Sequence, residues 1–137
     1  MMAKRQDKLD DTEKYLSQIN EGDRYLSAQI ELATLRIKSD RLSQARQQLT
    51  ESRQQHPELA STLYAVEIEL LNNNKLEETA YLLVLEAIKQ FPNDNLLLFS
   101  RALMADKRQE LAQFELDMRE LLRRDPNNPS YMNAFGY

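Results

Sequence analysis

The chain has 137 residues with only 2 glycines and 4 prolines, enough length for one substantial core and too few turn residues for a sheet protein. Hydrophobic residues at 42% and charged residues at 29% exclude disorder, and a net charge of −4 lacks the basic excess of nucleic-acid binders. Cysteine is absent, which excludes disulfides and thiolate metal sites, and is compatible with cytoplasm and periplasm alike. No apolar run approaches the ~18 residues of a membrane span, and Met1 to Lys8 contain no apolar signal segment.

In chain order, the first predicted helix runs from about Leu9 to Ile19 and breaks at Glu21-Gly22-Asp23, where Gly22 suits a helix-ending positive φ. A second runs from about Asp23 to Ile37 and breaks at Ser39-Asp40. A third covers about Leu42 to Gln54 and stops before Pro57, because proline disfavours helix at His56. Helices from about Pro57 to Leu71 and Leu76 to Gln90 flank Asn72-Asn73-Asn74, whose asparagines suit left-handed backbone. The last full pair is about Asp94 to Ala105 and Arg108 to Arg123.

The second helix of each pair is one-faced. Leu42, Ala45 and Leu49 step at helical spacing, as do Leu76, Ala80, Leu83 and Ala87, and Leu111, Phe114, Met118 and Leu121. Ala45, Ala80 and Ala102 mark close helix approaches. Prolines at 57, 92 and 126 close helical segments at intervals of 35 (92 − 57) and 34 (126 − 92). Lys8-Leu9-Asp10-Asp11, Arg41-Leu42-Ser43-Gln44 and Lys75-Leu76-Glu77-Glu78 recur with leucine offsets of 33 (42 − 9) and 34 (76 − 42), each as the opening of a helix.

These residues resemble the tetratricopeptide repeat, a helix–turn–helix unit of 34 residues. Leu32, Ala33, Ala45 and Leu49 fit its first copy. Tyr64, Leu71, Ala80, Val84, Ala87 and Pro92 fit the second, and Leu98, Ala102, Met118 and Pro126 the third. Gln29, Arg36, Glu67 and Arg101 stand where the family has large apolar residues; Ile68, Phe114 and Leu121 stand where it has small ones. The resemblance implies an all-α, right-handed superhelical solenoid of stacked antiparallel hairpins. It implies a partial repeat over 1–25, three repeats over 26–128 and the start of another over 129–137. Phe135 and Gly136 match that further copy, so the chain is expected to be a piece of a longer repeat protein. Its wording is similar to long proteobacterial repeat proteins, some of them periplasmic lipoproteins. Tyr131, Met132, Phe135 and Tyr137 are then expected to present an uncovered apolar face, giving a weak homodimer through the ends.

Catalytic chemistry finds no constellation. His56 is the single histidine and lies in a turn without a nucleophile or further ligands. The pairs Asp10–Asp11, Glu67–Glu69 and Glu77–Glu78 read as solvated faces, and Lys107–Arg108 and Arg123–Arg124 as solvated helix ends. The aromatics Tyr15, Tyr25, Tyr64, Phe91, Phe99 and Phe114 read as core. No metal, no cofactor and no enzymatic activity are expected. The resemblance implies instead a scaffold or adaptor, binding a protein or peptide through the first helix of each pair. The candidate groove is Ile30, Thr34, Ile37, Lys38, Glu69, Asn72, Asn73, Phe99, Leu103 and Asp106, with Phe99 and Leu103 as anchors. The family's carboxylate-clamping Lys/Asn set is absent, Ile30 and Thr34 standing in those places. A structural spacer or self-association segment is the alternative.

Overall fold

The computed structural model describes residues 2–19, 22 and 24–136, with side chains from Lys8 onward. Its α-helices are α1 (Met2–Ser17), α2 (Tyr25–Lys38), α3 (Leu42–Gln55), α4 (Ala60–Asn73), α5 (Glu77–Gln90), α6 (Asn95–Lys107), α7 (Leu111–Arg124) and α8 (Pro129–Phe135). No strand occurs among the described residues. The chain divides into two compact units, Met1–Leu70 and Leu71–Tyr137. Within the first, α1 packs on α2 and α2 on α3; within the second, α5, α6, α7 and α8 pack in chain order. Connections of a few residues make packed neighbours antiparallel.

Several boundaries differ from expectation. Helix α1 begins at Met2, because the preceding Lys, Arg, Gln and Asp are helix-compatible and no Gly or Pro interrupts them. Leu9 therefore lies inside a helix, whereas Leu42 opens α3 and Leu76 caps α5. Pro57 starts a separate 3-10 turn, Pro57–Leu59, ahead of α4. Of the first break, Gly22 has φ +87°, while Glu21 and Asp23 lie outside the described residues.

The turns inside the hairpins repeat one geometry. Asp40, Lys75 and Gln109 all have positive φ, at 60°, 64° and 60°. The residue after each closes the same ring: the amides of Arg41, Leu76 and Glu110 donate to the carbonyls of Arg36, Leu71 and Ala105 at 2.7, 2.9 and 2.8 Å. This is the Schellman end, in which a left-handed residue lets the chain turn back on the last carbonyls. It corrects two expectations. The left-handed residue after α4 is Lys75, since Asn72 and Asn73 still belong to the helix. Helix α7 starts at Leu111 rather than Arg108, because Gln109 is left-handed.

In the first unit, Ala33, Ala45, Leu49 and Leu63 form one core cluster, and Leu16, Ala28 and Leu32 another. In the second, Leu98, Ala102, Met118, Leu121 and Tyr131 cluster, with Phe99, Phe114 and Phe135 packed against them. Ala45, Ala80 and Ala102 are all fully buried. Tyr25 and Tyr64 are core residues as expected, but Tyr15 is 58% exposed, pointing off the outer face of α1. The C-terminal face is covered, contrary to expectation. Tyr131 is buried, and the Phe135 ring meets Phe114 edge-on at 5.9 Å, so α8 spends its apolar side on its own unit. Met132 stays exposed, and Tyr137 lies outside the described residues.

The four polar residues that break the repeat pattern are tied to partners. Glu67 is 1% exposed, not solvated as expected, because Arg46 Nε and Arg53 Nη1 of α3 donate to its two oxygens at 2.9 and 2.7 Å. The Arg53 guanidinium also lies 4.1 Å over the Tyr64 ring. Arg101 of α6 holds Asp117 of α7 through two bonds of 2.9 and 2.8 Å, and Gln113 adds a third at 2.9 Å. Arg36 donates to Glu13 of α1 at 2.6 Å and to Gln48 of α3 at 3.2 Å. Gln29 accepts from Ser52 and Gln48 of α3 at 2.8 and 2.7 Å.

Two outcomes follow for stability. Lys75→Gly relieves the left-handed backbone and should raise stability by about 0.5–1 kcal/mol, read from urea midpoints. Glu67→Ala removes the buried carboxylate that two partly buried guanidinium groups share and should cost about 3 kcal/mol, whereas Glu69→Ala on the exposed side should change stability by about 0.5 kcal/mol or less. Equal urea midpoints for the two glutamate variants would contradict the buried tie.

Candidate partner-binding surface

On α2, Ile30, Thr34 and Lys38 step by four and share one face. They line a shallow depression of about 310 Å³, whose other wall is Thr12 and Leu16 of α1. Thr34 Oγ1 donates back to the Ile30 carbonyl at 2.7 Å, so its hydroxyl offers only lone pairs to a ligand. Ile37 is not brought here; it packs against the Ala33–Ala45–Leu49–Leu63 cluster. Glu69 is exposed on α4.

In the second unit the apolar candidates lie along α6. Leu103 is 43% exposed, and Leu96, two turns earlier on the same face, is 60% exposed. Phe99 lies between them but is partly drawn into the core, its ring edge-on to Tyr131 at 5.1 Å. Asp106 follows on the exposed end of the helix. Asn73 is exposed, and Asn72 sits in a separate hollow of about 290 Å³ with Tyr81, Met104, Lys107 and Arg108. The accessible apolar surface of α6 is thus carried by Leu96 and Leu103 more than by Phe99.

The ionisable groups beside these surfaces are mostly paired. Arg108 stacks 4.0 Å over the Tyr81 ring and donates to Glu78 and Glu110. Burial raises the Tyr81 phenol above its usual range, and its bond to Glu110 at 3.1 Å raises it further. Burial likewise raises Tyr131. Hydrogen bonds from Arg123 and Arg124 pull the Glu120 carboxyl down to about 2. Arg124 also reaches Asn95 at 2.8 Å, so it ties α7 to α6 rather than ending as a solvated cation. His56 caps α3, stacks on Tyr25 at 4.1 Å and faces Glu58 at 3.2 Å. No group of three or more His, Cys, Asp or Glu side chains among the described residues is placed to hold a metal ion.

Sequence reasoning missed the contribution of α1, Thr12 and Leu16. The signal was present in the helical spacing of Leu9, Thr12 and Leu16, which makes α1 a one-faced helix of the same kind as α3, α5 and α7.

No protein-family model matches the sequence. A TPR repeat-containing protein of Pseudomonas aeruginosa strain PAO1 is 38% identical over 121 residues, covering 88% of this chain. Repeated hairpins with one turn geometry, and a relative that carries this repeat in its name, agree with the proline interval. The chain is built of tetratricopeptide-type repeats. It spans about a fifth (20%) of the length of that relative. Tetratricopeptide repeats are in general protein-interaction scaffolds and non-catalytic. No helix among the described residues is long and apolar enough to cross a membrane.

The Tyr81 environment makes a pH-dependent outcome. The folded state favours the neutral phenol, so this contribution to stability is present below pH ~10 and is lost as pH rises through the raised folded value. Phenolate absorbance should show tyrosines ionising later than free tyrosine. Glu110→Gln should bring one of them earlier, because the carboxylate's charge no longer opposes the phenolate.

Proposed function

We propose that the chain holds segments of a partner protein against the outward faces of its first helices. The observation that carries this reading is the apolar surface left open there. In the first unit Ile30 sits with Leu16 in a depression edged by Thr34 and Lys38. In the second, Leu96 and Leu103 stand exposed on one face of α6. The polar side chains at these edges, Thr34, Lys38, Asn73 and Asp106, can fix the orientation of a bound segment through its backbone and charged groups. An amphipathic helix or an extended strand with two or three apolar anchors matches such a surface. Repeats 26–128 are the proposed binding domain, flanked by partial repeats at 1–25 and 129–137.

Hot spots in such interfaces are few and apolar. Ile30→Glu and Leu103→Glu alter partly or largely exposed side chains and should leave the fold intact. Each should weaken partner binding by about 2 kcal/mol, roughly 30-fold. Glu115→Ala, an exposed change on α7, should change nothing there. Capture from a bacterial lysate with wild type and these variants, followed by calorimetry on the captured protein, makes the comparison. Identical capture by wild type and both glutamate variants would overturn this assignment, and capture of nothing by any of them would favour a spacer role.

A further inference from the structure

The α6–α7 hairpin has a second surface, on the side of α6 turned away from Leu96 and Leu103. Leu98 and Arg101 lie roughly 140–160° round that helix from those two leucines. With Leu116 and three arginines of α7 they line an open groove of about 430 Å³. Positive charge is concentrated there. Arg101, Arg119, Arg123 and Arg124 line the groove against two carboxylates, Asp117 and Glu120, so the lining carries +2 (4 − 2). The rest of the chain carries −6 (−4 − 2). The groove stays positive when Glu115, the partner of Arg119, is counted with it.

The four guanidinium groups are of two kinds. Arg101 and Arg124 are largely buried and tie the two helices together, Arg101 through Asp117 and Arg124 through Glu120 and Asn95. Arg119 and Arg123 have side chains 65% and 70% exposed, and their partners Glu115 and Glu120 stand four and three positions away on the same helix. Exposed pairs of this kind are screened by water and contribute little, so another carboxylate exchanges for either partner at small cost. The present pairs show what these forks take. Arg119 directs Nε and Nη2 to Glu115 Oε1 at 2.9 and 2.7 Å, and Arg123 directs the same two nitrogens to the two oxygens of Glu120 at 3.0 and 2.6 Å.

Spacing narrows the ligand further. Arg119 and Arg123 are four residues apart, ~6 Å along the helix axis. Carboxylates two residues apart on an extended strand share one side at a similar spacing, ~6.7 Å. Leu116, 65% exposed, stands one turn before Arg119 and offers contact to an apolar side chain of the same strand.

We propose that this groove docks an acidic, extended segment of a partner protein, with two carboxylates two residues apart and an apolar residue beside them. A nucleic acid is disfavoured because Glu115, Asp117 and Glu120 would face its phosphates, and a sugar–phosphate backbone has nothing to set against Leu116. The site is separate from the first-helix surface and does not rest on it.

The test is a nitrogen-15 NMR titration of the whole chain with the pentapeptide Leu-Ala-Glu-Ala-Glu, acetylated and amidated so that only its side chains are charged. It should give saturable shifts at the Nε–H groups of Arg119 and Arg123. The same peptide with glutamine for both glutamates should bind roughly tenfold more weakly or worse, because the forks then meet no charge. Arg119→Gln and Arg123→Gln are exposed changes with little risk to folding, and each should weaken the acidic peptide about three- to tenfold. Glu120→Gln keeps an oxygen for Arg124 while removing the competitor at Arg123, and should tighten binding. Leu103→Glu should leave the titration unchanged, which separates this site from the first-helix surface. Equal binding of the glutamine peptide, binding of inorganic phosphate or oligothymidylate as tight as that of the acidic peptide, or undiminished binding in both arginine variants would overturn the proposal.

Discussion

The polar tie between neighbouring helices is the constraint on which much of this structure depends. A helix packed on its neighbour buries some polar groups here, and each buried group needs its full set of partners. Glu67 between two arginines and Asp117 under Arg101 and Gln113 are the clearest cases. Such ties are directional, so they select one rotation and one sliding position of a helix on its neighbour. An apolar contact between the same helices would tolerate several. Among the described residues no buried side-chain nitrogen or oxygen lacks a partner, as this role requires.

Around these ties the packing is of the ordinary kind for helix pairs. Small Ala33, Ala45 and Ala102 let backbones approach, and Leu49, Leu63, Met118 and Leu121 fill the space opposite. The turns complete the geometry. One left-handed residue and one amide bond back to the last turn of the helix reverse the chain at Asp40, Lys75 and Gln109 alike, and none of these residues is glycine. Tertiary packing therefore holds a backbone conformation that the local sequence does not favour.

The surfaces open to partners are what the core and the ties leave over. Ile37 and Phe99 are drawn inward, while Ile30, Leu96 and Leu103 remain accessible. Most charged groups nearby are engaged with one another, as Arg108 is with Glu78, Glu110 and the Tyr81 ring. The mode of recognition proposed for the first helices draws on apolar contact more than on net charge, in keeping with a formal charge of only −4.

The sequence by itself determined the helical class, the pairing of helices, the repeat interval and the buried alanines, because proline position and apolar spacing are local signals. It placed most helix ends within a residue or two. It could not show that Glu67 is buried while Glu69 is exposed, since both differ from their neighbours only by rotation about one helix. Nor could it show that Ile37 faces the core, or that Gln29 is buried where Gln48 and Ser52 of α3 donate to it. Those features depend on which side chains of a second helix arrive opposite a given residue. Hydrogen-bond direction and burial are properties of that meeting, and only the tertiary structure decided them.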